Sequence, residues 1–394
     1  MYFACTVLDG LEVHPTCLIS KTKVYQMIDS RIKKLANILV NYSIKVKPDD
    51  WVCILTQDVV ALPLVGEIVQ HITQAGGHAD YYIESEDIQE IILRESHDDQ
   101  LKWISPVDKM VIEGADAIIT IIASSNTRAL TGITPKKQQR RQLARNKIFE
   151  TFMERMATGE LRWVATQYPC NAYAQEADMS LQDFEDFVYS ATFADQPDPV
   201  KCWQNIHDEQ QRFVEWLKGK KEIVVRGPNV DITLSIEGRT FLNADGTRNI
   251  PSGEIYTSPV EDSVNGWIKF TYPAIWAGRE VKGVEFTFEH GKIIDAKAKK
   301  NEDFLLSQLD TDAGSRYLGE FAIGTNYGIK RFTKSILYDE KIAGTIHVAI
   351  GKGFPEIGGR NESVVHWDFI CDMRQDSEIL VDGELFYKNG EFQI

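Results

Sequence analysis

The six residues Ala117-Ile-Ile-Thr-Ile-Ile122 constrain this chain more than any other stretch. A strand with one face in water alternates apolar and polar residues. A run that is apolar at nearly every position belongs to a strand covered on both faces, as in a parallel sheet between layers of helices. The flanking sequence fits that layering. Ile28, Ile32, Leu35 and Leu39 recur at the spacing of one helix face, and Val46-Lys-Pro-Asp-Asp50 is a turn. Trp51-Val-Cys-Ile-Leu55 reads as a short buried strand. A helix is expected from Leu62 to the stop signal Gly76-Gly77, followed by a strand at Tyr81-Tyr82-Ile83. Strand–helix–strand order predicts an N-terminal α/β domain with an open, largely parallel sheet. Residues 135–218 are expected to be mostly helical. Ser180 and Asp183 suit a cap, Asp195-Gln-Pro-Asp-Pro199 is a break, and Trp203, Ile206, Phe213 and Leu217 share one helix face.

The texture changes near residue 222. Ile232, Leu234 and Ile236, and later Val284, Phe286 and Phe288, repeat every second residue, which is the period of half-buried strands. The hairpin pairs Asp245-Gly246, Asp382-Gly383 and Asn389-Gly390 punctuate them, with a weaker turn at His290-Gly291. One helix is expected near 302–310. The chain thus divides into residues 1–220, an α/β domain with a helical segment, and residues 221–394, a strand-rich α+β domain, with the boundary near Lys218-Gly-Lys-Lys221.

A formal charge of −15 argues against nucleic acid and anionic membrane surfaces as partners. Pro135-Lys-Lys-Gln-Gln-Arg-Arg141, the one basic run, reads as a solvated helix face. No stretch approaches 18 apolar residues, and the first ten residues lack a signal-peptide pattern. The six cysteines include no CxxC pair, which fits a reducing, cytoplasmic setting and argues against a disulfide framework and a thiolate zinc site.

Candidate chemistry lies in the second half. In Val364-Val-His-Trp-Asp-Phe-Ile-Cys371, a strand would place His366 and Asp368 on one face of an otherwise apolar run. A divalent ion between them, or a hydrogen bond from one to the other, would relieve the cost of burying both. His347 in Gly344-Thr-Ile-His-Val-Ala-Ile350 and Glu320 in Tyr317-Leu-Gly-Glu-Phe-Ala-Ile323 interrupt similar runs, and Glu254 follows the loop Asn249-Ile-Pro-Ser-Gly253. Asp339-Glu340, taken locally, reads as a solvated acidic loop. Carboxylates with two imidazoles suit a pair of ions such as zinc, cobalt or manganese, which can activate water for hydrolysis.

Those segments, in order, resemble the thermophilic metallo-aminopeptidase family typified by aminopeptidases T and S. The resemblance rests on Asn249 to Gly266, Leu318-Gly-Glu320, Leu337-Tyr-Asp-Glu-Lys341 with Gly344-Thr-Ile-His347, and Gly358-Gly-Arg-Asn361 before His366-Trp-Asp368. Lys34 to Ser43, Val46-Lys-Pro48 and Leu62-Pro-Leu64 extend it to the first half. It implies an exopeptidase removing N-terminal residues from short peptides. It gives metal-ligand roles to Glu254, Glu320, Glu340, His347, His366 and Asp368. Glu320 would be shared between two ions, and Glu254 or Glu320 would carry the proton. It also implies a homodimer whose sites face an enclosed cavity, and makes residues 221–394 the metal-binding catalytic domain. One position departs: the family's tyrosine seven residues after the histidine matching His347 is Phe354 here. Phenylalanine offers no hydroxyl, so hydrolysis of another amide or ester bond, or peptide binding at an impaired site, stand as alternatives.

Overall fold

The structure, a computed structural model, describes residues 29–276 and 278–394. Ile28, Cys5, Cys17 and the opening decapeptide lie outside the described residues. The first half builds a parallel sheet in the order His78–Ile83, Trp51–Thr56, Ala117–Ile122, Arg162–Gln167 and Asn249–Ile250. Ala117–Ile122 is its central strand, and Ala117, Ile118, Ile119 and Ile121 are all buried, so the two-sided covering inferred from the run is present. The helix expected after Leu62 spans Leu62–Gln74, and its neighbour begins at His78, three residues earlier than the tyrosines suggested.

Residues 135–218 depart from expectation at one point. Helices Pro135–Ala157, Asn171–Glu176, Leu181–Ala191 and Pro199–Leu217 are there, but Arg162–Gln167 is a strand. Its register beside Ala117–Ile122, from Ala117 opposite Arg162 to Ile122 opposite Gln167, decides the matter, because strand preference is set mainly by neighbours. Ser180 caps its helix by accepting from the Asp183 amide at 3.1 Å, and Trp203, Phe213 and Leu217 are buried along one face of theirs. No helix among the described residues is long and apolar enough to cross a membrane.

Among the described residues the second half forms three antiparallel sheets, of eight, five and two strands, with the helices Glu302–Leu309 and Ile336–Asp339. A five-stranded sheet runs His366–Asp372, Thr345–Gly351, Leu318–Gly324, Glu254–Thr257 and Leu242–Ala244. One of its faces packs Phe321, Val348, Trp367 and Phe369 against Phe286 and Phe288 of the eight-stranded sheet, in one shared core.

The two halves are tied at several points. Asn249–Ile250 completes the parallel sheet from the second half. Asn326 Nδ2 donates to the carbonyls of Ala191 (3.0 Å) and Ser252 (2.8 Å), and its Oδ1 accepts from the Gly328 amide (2.8 Å). Gly253, with φ +114°, sits where a Cβ would come within 2.8 Å of the Asn326 side chain, so the approach requires glycine. Buried Asn326→Ala loses three hydrogen bonds at roughly 1 kcal/mol each and strands their partners, so urea unfolding should show a loss of about 3 kcal/mol.

Candidate metal centre

Register aligns the candidate ligands. In the five-stranded sheet Glu320 faces Ala349, which faces Asp368, and His347 lies between Ala322 and Ile370. His366 is opposite Gly351, and Glu254 is opposite Gly324. Side chains alternate along each strand, so Glu320, His347, His366 and Asp368 all leave the sheet on the face away from the aromatic core. Small residues at the crossing positions, Ala322, Ala349 and Gly351, keep that face open beneath the polar groups.

The ends of these side chains converge. Glu320, His347 and Asp368 each offer one ligand atom, and the three atoms lie within 4.8 Å of one another. Glu320 spans the two imidazoles: Oε1 is 3.7 Å from His347 Nε2 and Oε2 is 3.3 Å from His366 Nε2. His347 Nε2 is also 3.6 Å from Glu254 Oε2, and His366 Nε2 is 3.8 Å from Asp368 Oδ1. His366 Nδ1 is 2.8 Å from the Lys352 carbonyl. That contact makes Nδ1 the donor and turns Nε2 toward the carboxylates, the usual support of a ligating histidine.

Glu340 arrives by another route. It follows the short helix Ile336–Asp339, whose Tyr338 is fully buried with its ring 5.1 Å from that of Phe187. The solvated loop read from the local sequence is therefore incorrect. Asp339 is buried and accepts from the Thr333 amide (2.7 Å) and hydroxyl (3.0 Å), because apolar anchors at Tyr338 and Ile342 draw the segment inward. Glu340 is half-buried and hydrogen-bonds Lys341, whose Nζ also lies 3.6 Å from Glu254 Oε1. The family resemblance named Glu340, whereas nothing local marked Lys341, which is fully buried.

The electrostatics are those of crowded acids. Burial pushes Glu254 up to about 7, against the pull of Lys341, and pushes Asp368 up to about 6, against that of His366. Burial also favours a neutral Glu320, but contacts with His347 and His366 outweigh it and hold the carboxyl at about 2. The two imidazoles are destabilised as cations by burial, yet their carboxylate neighbours prevail. Glu320 and Glu254 raise His347 to about 9, and Asp368 and Glu320 raise His366 to about 10.

The donor set fits a divalent cation. Glu254 Oε2, His347 Nδ1 and Asp368 Oδ1 are buried without a hydrogen-bond partner among the described residues. Each such group costs roughly 1–3 kcal/mol if left unmatched. Two of the three orphaned atoms are carboxylate oxygens at the point of convergence, and carboxylate with imidazole is ordinary ligation for zinc, cobalt or manganese.

Phe354 lines the same site. Its ring centroid is 5.2 Å from that of His366 and 5.5 Å from that of Tyr256. Its amide donates to Ser258 Oγ at 3.0 Å, and that hydroxyl donates to the Gly319 carbonyl at 2.7 Å. Tyr256 shares a sheet face with Glu254, two residues away, and burial raises its hydroxyl well above the ordinary value.

The family described as thermophilic metalloprotease (M29) matches residues 28–392. This chain belongs to that family. Aminopeptidase 2 of Geobacillus stearothermophilus is 25% identical, over 90% of this chain and 94% of its own length. Among solved structures, wild-type AmpT from Thermus thermophilus superimposes with a TM-score of 0.80 at 21% identity, covering 92% of this chain and 99% of that one. The 2,5-dihydroxypyridine dioxygenase of Pseudomonas putida KT2440 shares the fold at a TM-score of 0.54 and 12% identity, covering 92% and 96%. As an M29 member this chain is a metallopeptidase, a hydrolase that depends on divalent metal.

Metal binding should be proton-linked. A ligating imidazole must be neutral. In the metal-free protein His347 and His366 hold protons until about 9 and about 10. Zinc affinity should therefore rise with pH from 6 to about 9, with protons released on binding. Calorimetry in buffers of different ionisation enthalpy measures this; an affinity independent of pH over that range contradicts the charge assignment.

Proposed function

We propose that this chain is an aminopeptidase that removes N-terminal residues from short peptides with two divalent ions, zinc, cobalt or manganese. Glu254, Glu320, Glu340, His347, His366 and Asp368 would hold them. The observation that carries this reading is Glu320, whose two carboxylate oxygens address two different imidazoles. That is the posture required of a carboxylate shared between neighbouring ions.

Bound there, such ions supply Lewis acidity and lower the pKa of water toward about 7. The protein residues do the rest. His366, fixed through Nδ1 by the Lys352 carbonyl, holds its Nε2 in place. Glu254, with an unpartnered Oε2 at the site, is our choice to take a proton from the attacking water and deliver it to the leaving amine. Ala349 and Ala322 leave room above the sheet, and Phe354 gives the site an apolar wall beside His366.

The relatives' names support cleavage at the N-terminus rather than within a chain. A dioxygenase on the same fold is a reminder that the scaffold alone does not set the chemistry. Phe354 favours one second reading, a peptide-binding protein with an impaired site. It predicts tight peptide binding without turnover, relieved by Phe354→Tyr.

We also propose a homodimer and a cytoplasmic location. The helix Pro135–Ala157 is 23 residues long and buries none of them. Leu143, Phe149 and Met153 on it, Met110 on the adjoining helix Pro106–Gly114, and Trp103 before that helix are all exposed. Large exposed apolar side chains on packed neighbouring helices are what a self-association face requires. The four described cysteines are free, as in a reducing compartment.

After chelator stripping, zinc, cobalt or manganese should restore release of free N-terminal amino acids from dipeptides and amino-acid anilides. N-acetylated peptides should be inert. Glu320→Gln should lower kcat by more than about 100-fold, beyond the loss typical of an outer-shell partner. Absence of cleavage with all three metals rejects the peptidase reading; brisk turnover by the unmodified protein rejects the impaired-site reading.

A further inference from the structure

Lys341 has no part in the reading so far, yet it is the most unusual residue near the site. Its side chain is fully buried, where lysine almost never lies unless paired. The backbone fixes it on both sides: its amide donates to the Tyr338 carbonyl and its carbonyl accepts from the Asn326 amide, each at 3.0 Å. The ammonium hydrogen-bonds Glu340 Oε1 and lies 3.6 Å from Glu254 Oε1.

This divides the cluster into two unequal parts. Glu320, His347 and Asp368 project from paired strands, and sheet register alone brings their ligand atoms together. Glu254 opens a strand at the far side of the same sheet, between Gly324 and Ala244, and Glu340 follows a short helix outside the sheet. What joins them is the Lys341 ammonium, which draws one oxygen of each. The other oxygen of Glu254 is thereby left facing His347 Nε2 at 3.6 Å, without a hydrogen-bond partner. Two carboxylates around one ammonium keep a net negative charge, so the pair still attracts a cation. Without the ammonium, the two neighbouring carboxylates would repel each other or take up a proton, and their shared orientation would be lost.

We infer that Lys341 is a positioning residue that orients Glu254 and Glu340 for the second of two ions, while the first ion needs only Glu320, His347 and Asp368. The inference rests on the two-ion reading. It assigns the centre one tight ion, held by strand geometry, and one weaker ion whose affinity Lys341 controls. Loss of a hydrogen-bonding partner to a ligand typically weakens metal binding by about 10–100-fold.

The test is a zinc titration of the full chain against a chromophoric chelator, comparing wild type, Lys341→Met and Lys341→Arg. Wild type should bind in two steps. Lys341→Met should keep the first step unchanged, which also reports that the protein is folded, and weaken the second by about 10–100-fold. Lys341→Arg, which retains the charge with altered reach, should fall between. A second step that is unchanged or tighter in Lys341→Met overturns the inference, because the ammonium would then be inert or merely repel the ion. If Lys341→Met fails to fold, Lys341→Arg decides: selective weakening of the second step supports the role, and equal weakening of both steps or none overturns it. A wild-type chain that takes up a single ion removes the two-ion reading itself.

Discussion

The lateral register of three antiparallel strands is the constraint on which the site depends. Glu320, Ala349 and Asp368 stand in a row across Leu318–Gly324, Thr345–Gly351 and His366–Asp372. Phe321, Val348, Trp367 and Phe369 occupy the opposite face and are buried against the second sheet. A slip of one residue would turn the ligands on a slipped strand into that aromatic core and its core residues into the site. Each large apolar side chain buried there contributes about 1.5–3 kcal/mol. The core therefore fixes register firmly enough to hold Glu320 and Asp368 close together against their mutual repulsion.

The α/β half is part of the same construction. Its helices Asn171–Glu176 and Leu181–Ala191 supply Ala174, Phe184, Phe187 and Val188, against which Ile329, Tyr338 and Ile342 pack. That contact holds the segment carrying Glu340 and Lys341. Asn326 joins the same helices to the loop before Glu254 through the carbonyls of Ala191 and Ser252. Five of the six candidate ligands thus lie on paired strands, and Glu340 is placed by packing between distant parts of the chain.

That division also explains what was legible in the sequence. His366 and Asp368 stood out because two ligand-type residues two apart interrupt an apolar run, a strictly local signal. Glu320 and His347 carried the same mark, and Ala117–Ile122 announced a central strand by its lack of alternation. Asp339 misled because its neighbours look like an acidic turn, whereas the adjoining Tyr338 is packed on Phe187, about 150 positions away. Glu340 was reached only through the order of motifs shared with a family. The strand Arg162–Gln167 was hidden among helices because its partner, not its composition, makes it a strand. No periodicity marks a buried lysine, so Lys341 became visible only when Glu254 and Glu340 were seen on either side of it.

The most direct test of the central claim is anomalous scattering at the zinc edge from crystals of the chain grown with zinc and without chelator. The account expects two peaks, one among Glu320, His347 and Asp368 and one on the side of Glu254 and Glu340, with Glu320 touching both. Peaks absent from this cluster, or bound by other residues, would contradict it.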